Sequence, residues 1–110
     1  MPWRDEKERR AYFQCEDAFL TVAKELDAID RKIRAWYPSD TWNAAHKIIS
    51  NVYRDARGLN IRRALIALEP LIKIVGDRLQ GEVMRIRSDL KRMEDCERFS
   101  GRGYIQVYHD

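Results

Sequence analysis

Residues 12–36 read YFQCEDAFLTVAKELDAIDRKIRAW, and the apolar positions Tyr12, Cys15, Phe19, Val22, Leu26, Ile29, Ile33 and Trp36 recur at alternating steps of three and four. Such steps keep one stripe on one helical face. Asp5 with Glu8 three positions on forms a capping box, and Pro38 drives Tyr37 out of helical backbone. The first helix is therefore placed at 5–36. Glu6/Arg10, Asp27/Arg31 and Asp30/Arg34 stand acid before base at a spacing of four, which marks its solvated face.

The same period returns twice. After Ser39 and Asp40, both good N-caps, come Trp42, Ala45, Ile49, Val52, Ala56 and Leu59, a second helix over 40–57 that Gly58 is expected to close with a left-handed stop. Asn60 caps a third stretch over 60–98 carrying Leu65, Leu68, Ile72, Val75, Leu79, Val83, Ile86, Leu90 and Met93. Its one four-four step, Val75–Leu79–Val83, reads as a stutter in the heptads. Pro70 kinks or ends this helix by removing a hydrogen bond. Gly76 followed by Asp77 and Gln80 offers a break with a fresh cap. The unbroken stripe favours one long, kinked helix over a turn at Gly76.

Helices this unequal do not cover one another. At 1.5 Å per residue they span roughly 48, 27 and 57 Å, which leaves Val83, Ile86, Leu90 and Met93 at the far end of the third without a neighbour. Either a break near Gly76 folds the last segment back along the first helix, or the four residues form an oligomerisation stripe between two chains. The fold class is all-α: three or four antiparallel helices with long heptad patterns in one domain over 1–110. After Arg98 the chain changes character. Phe99-Ser100-Gly101-Arg102-Gly103 is a flexible stop, and Tyr104-Ile105-Gln106-Val107-Tyr108 has strand-like content, so 99–110 reads as an irregular or strand-like tail.

Composition limits the function. Of 110 residues, 45% are hydrophobic and 35% charged, enough for an independent core and too much for a disordered tail. The net charge is only +3, with acids and bases interleaved, so a pI near 9 is weak support for a nucleic-acid partner. No stretch is apolar enough for a signal peptide or a membrane span, which places the chain in the cytoplasm with Cys15 and Cys96 expected as reduced thiols.

Chemical motifs are absent. There is no Walker A sequence, no G-x-G-x-x-G, no H-E-x-x-H and no C-x-x-C, so no cofactor, metal or catalytic residue is assigned. His46 with Ser50 one turn later is the nearest approach to a hydrolase pair, but both fall off the apolar stripe of the second helix and read as a surface histidine beside a surface serine. Cys15 occupies a core position, where a thiol is inert.

Two features remain. Arg78, Arg85 and Arg92 repeat at sevens, with Arg87, Lys91 and Arg98 near them, and make a basic ridge on the third helix. Residues from 60 onward carry ten basic and eight acidic side chains, which favours a salt-bridged face over a phosphate-binding one. Trp36, Tyr37 and Trp42 cluster at the first turn, either closing the bundle there or forming a protein-binding hot spot. The expected function is a non-enzymatic protein-binding module, an inhibitor or adaptor of the kind phages and mobile elements direct at host or defence proteins. It would use Arg78, Arg85, Arg87, Lys91, Arg92, Arg98, Arg102, Tyr104 and Tyr108. The alternative is a nucleic-acid-binding regulatory dimer built on the same ridge, and a homodimer is a further expected partner.

Overall fold

The computed structural model describes residues 6–100. Four helices follow in order: α1 (Glu6–Trp36), α2 (Ser39–Arg57), α3 (Ile61–Val75) and α4 (Gln80–Arg92). Short 3₁₀ segments at Gly76–Leu79 and Glu94–Phe99 follow α3 and α4. The strand-like tail, with Arg102, Tyr104 and Tyr108, lies outside the described residues.

Paired side chains give the topology. Phe19 meets Tyr53 (ring centroids 5.4 Å) and Asp30 meets His46 (3.0 Å), so α2 runs back along α1. Lys32 meets Glu82 (2.9 Å) and Cys15 meets Cys96, so α4 also runs back along α1. The Arg62 amide donates to Glu97 Oε1 (2.8 Å), which sets α3 antiparallel to the last segment. Consecutive helices pack on one another and α4 closes on α1, an up-down-up-down bundle.

The one long helix expected over 60–98 is two helices, α3 and α4. α3 passes through Pro70, which stands on the exposed side where water replaces the missing hydrogen bond, and it stops at Val75. Gly76 then takes φ +63°, ψ −154°, a conformation close to glycine-only. The four-four step was the turn itself: Val75, Leu79 and Val83 are all buried, but on either side of a reversal. Magnitudes explain why the chain turns. Burying Val83, Ile86, Leu90 and Met93 stabilises by roughly 6–12 kcal/mol, whereas the break removes only a few helical hydrogen bonds of about 1 kcal/mol net each. These four residues are sealed in the core of one chain, so the stripe expected to join two copies is covered by α1 and α3.

Two smaller corrections concern the ends of α2. Its N-cap is Pro38, and Ser39 and Asp40 are already helical. At the other end Gly58 is ordinary (φ −83°) and Leu59 takes the left-handed conformation (φ 61°). The Asn60 amide reaches Asp55 O (2.9 Å) and the Leu59 amide Ala56 O (3.0 Å), a Schellman motif with leucine where glycine is usual. Leu59 is completely buried, and its burial of about 2 kcal/mol exceeds the left-handed penalty of about 1 kcal/mol.

The core runs from Cys15 to Phe99 and takes in Phe19, Val22, Leu26, Ile29 and Ile33 of the α1 stripe. Cys15 and Cys96 are not reduced thiols: they form a disulfide that ties α1 to the C-terminal 3₁₀ segment. No described helix is long and apolar enough to cross a membrane.

Candidate functional site

Two turns meet at one end of the bundle. Pro38 stops α1 at Trp36, and the Gly76 reversal brings Arg78 across to it. Tyr37 Oη donates to the Val75 carbonyl (2.7 Å), pinning the first turn to the last residue of α3. Trp36 closes nothing; it stays 46% exposed. The Arg78 guanidinium lies 4.6 Å from its ring centroid and Lys32 Nζ lies 5.8 Å away, each cation–π contact worth about 0.5–1 kcal/mol at such a site. Lys32 also binds Glu82, whose carboxyl is held below its ordinary range first by that hydrogen bond.

On the other side of α1, Asp30 Oδ1 accepts from Trp42 Nε1 (3.2 Å) and from His46 Nδ1 (3.0 Å). Trp42 stacks on His46 (4.9 Å) beneath Arg34 (5.4 Å). Beside them lies an open groove of about 250 Å³ with Leu26 and Ile49 in its wall and His46, Ser50 and Tyr53 on its rim. Asp30 thus stands where an acid orienting His46 would stand. Ser50 makes no hydrogen bond to His46, so the imidazole is positioned without an engaged nucleophile. Sequence alone hides Asp30 because it stands 16 positions from His46 on another helix.

The basic ridge is divided by this fold. Arg78 serves the Trp36 end, while Arg85 and Arg92 lie on exposed α4 beside Glu82 and Asp89, and Arg92 Nη1 pairs with Asp89 Oδ1 (3.3 Å). Lys91 is exposed, Arg87 half-buried, and Arg98 lies over the Phe99 ring (4.7 Å). Facing them from α1, Glu25 has one carboxylate oxygen closed off from water. Its pKa is raised to about 7, first by burial, then by hydrogen bonding and repulsion with Asp89, with Arg85 opposing. The α1–α4 seam is therefore a band of alternating charge. Among the described residues no group of three His, Cys, Asp or Glu side chains could hold a metal ion.

Comparison with known proteins finds no matching family, no matching curated protein and no matching solved structure.

Proposed function

We propose that this chain is a non-enzymatic protein-binding module, an inhibitor or adaptor, that docks through the end of the bundle bearing Trp36. The observation that carries this reading is a tryptophan held almost half exposed by Arg78 and Lys32. Trp, Tyr and Arg dominate binding hot spots, Trp and Tyr because they offer a large surface with little rotamer freedom to lose and Arg because its planar guanidinium both stacks and donates several hydrogen bonds. Here the turn is braced by the Tyr37–Val75 hydrogen bond, so ordering the site on binding costs little. An apolar notch with acidic residues at its edge is the matching surface on a partner.

Exposed Arg85 and Arg92 support the alternative, a nucleic-acid-binding regulator. The interleaved Glu82 and Asp89 weigh against it, because each acid offsets a contact to phosphate.

A photo-crosslinking residue in place of Asp77, beside Arg78, tests both readings in lysate of the source cells. The expected result is a protein adduct that survives nuclease and high salt. Trp36→Ala should weaken capture roughly thirtyfold, the scale of a 2 kcal/mol hot spot. Undiminished capture by Trp36→Ala refutes the site. Nucleic acid released by salt, and lost in Arg85→Glu/Arg92→Glu, makes the alternative correct.

A further inference from the structure

The disulfide joins residues 81 positions apart, and its place in the bundle is informative. From Glu6 to Gln14, α1 buries no side chain fully; Cys15 is where the core begins. On the other strand of the seam, Cys96 and Phe99 are the last buried residues described. The bond therefore closes the outermost core layer. Beside it, the Glu94–Phe99 segment packs on α3 as well as α1: Phe99 is buried edge-on against Tyr12 (5.6 Å) and Glu97 accepts from the Arg62 amide. A 3₁₀ segment has poor internal hydrogen bonding to add to this.

The bond is buried but borders a surface groove. A groove of about 270 Å³ runs beside it, lined by Gln14, Arg92, Asp95 and Arg98 together with the two cysteines, each 7% exposed. Arg92, paired with Asp89, and Arg98 line it together with Asp95, and a cation beside a sulfur favours the thiolate that leaves in exchange.

We propose that Cys15–Cys96 is a thiol–disulfide exchange site for a dithiol reductant, and that opening it releases the C-terminal 3₁₀ segment from α1 while the four-helix core stays folded. One thiolate of the reductant attacks a sulfur of the pair, forming a mixed disulfide and expelling the other cysteine as thiolate. The second reductant thiol then displaces the first cysteine. The pair gains two electrons and two protons, and the dithiol leaves as a disulfide. Release uncovers Tyr12 and Phe99 beside Phe13, which is already 40% exposed, so an apolar surface forms at this end only in the reduced chain.

Hydrogen exchange over minutes on the full chain, oxidised and after dithiothreitol, tests this, with Cys15→Ser/Cys96→Ser as a permanently open form. Among the described residues there is no free cysteine at the start, and thiol titration should report both freed under native conditions. Exchange should rise roughly tenfold or more across 8–16 and 93–99, and stay unchanged across 20–35 and 45–56. A uniform rise in all helices would show a staple for the whole fold and overturn the proposal. So would free thiols with 93–99 still protected, or a pair that dithiothreitol leaves intact.

Discussion

Replacing Gly76 by alanine should weaken the bundle even though the added carbon touches nothing. The residue sits at φ +63°, ψ −154°, and a Cβ built there finds no atom within 4 Å. Clash is absent, so the penalty is conformational, about 1–3 kcal/mol. Alanine also favours an uninterrupted helix by about 1 kcal/mol over glycine, so the straight form of 60–98 gains while the turn loses. Straightening still uncovers Val83, Ile86, Leu90 and Met93, roughly 6–12 kcal/mol of burial, and the turn therefore survives in a less stable protein. Gly81→Ala is the matched control: its Cβ also meets open space, it lies inside α4 without a positive φ, and it should stabilise by about 0.5–1 kcal/mol. Urea unfolding of both variants measures the difference. At a slope of about 1–3 kcal/mol per molar urea the midpoint of Gly76→Ala should fall by about 1 M for mid-range values and by no more than ~3 M. Equal stability of the two variants would refute the turn as the decisive element.

Glu25 should make stability pH-dependent. Its folded pKa of about 7 lies above the ordinary 4.5, so the folded chain holds the proton more tightly. The stabilisation is complete below pH 4.5 and lost as pH rises through 7. For this partly exposed group the full shift is discounted by solvent screening to about 1–2 kcal/mol. Glu25→Gln should exceed wild type by that amount at pH 8 and match it near pH 4.5; an advantage of the same size at both pH values in denaturant melts would contradict this. Tyr37→Phe removes the 2.7 Å bond to the Val75 carbonyl and should lower stability by about 1 kcal/mol, and an unchanged unfolding midpoint would show that the bond contributes nothing.

The stripe of α1 was legible residue by residue, whereas in α3 Leu65 and Ile72 of the expected stripe are half-buried and Ile61, Ala64 and Leu71 enter the core instead. Phe19, Val22, Leu26, Ile29 and Ile33 are buried as their spacing requires, because backbone geometry sets which side chains share a face wherever the helix packs. Trp36 obeys the same period and stays almost half exposed, since α1 ends there and the Arg78 and Lys32 side chains lie over its ring without burying it. The stripe could not show where the third stretch breaks. A stripe continuing round a reversal has nearly the period of one continuing along a straight helix, and only the slip at Val75–Leu79–Val83 marked the difference. Leu59 in place of Gly58 shows a related limit: core burial overrode the local preference for glycine.

From its own order of residues the chain determines an all-α fold, the places where α1 and α2 end, and the absence of any local phosphate or metal motif, because each depends on neighbours within a few turns. Only tertiary structure decided the reversal at Gly76, since its advantage is the summed burial of four distant side chains. That reversal then set one antiparallel register, bringing Lys32 to Glu82, Glu25 to Asp89 and Cys15 to Cys96. The Trp36–Arg78 contact and the disulfide follow from the closed bundle, where residues far apart in sequence share a surface that neither segment presents alone.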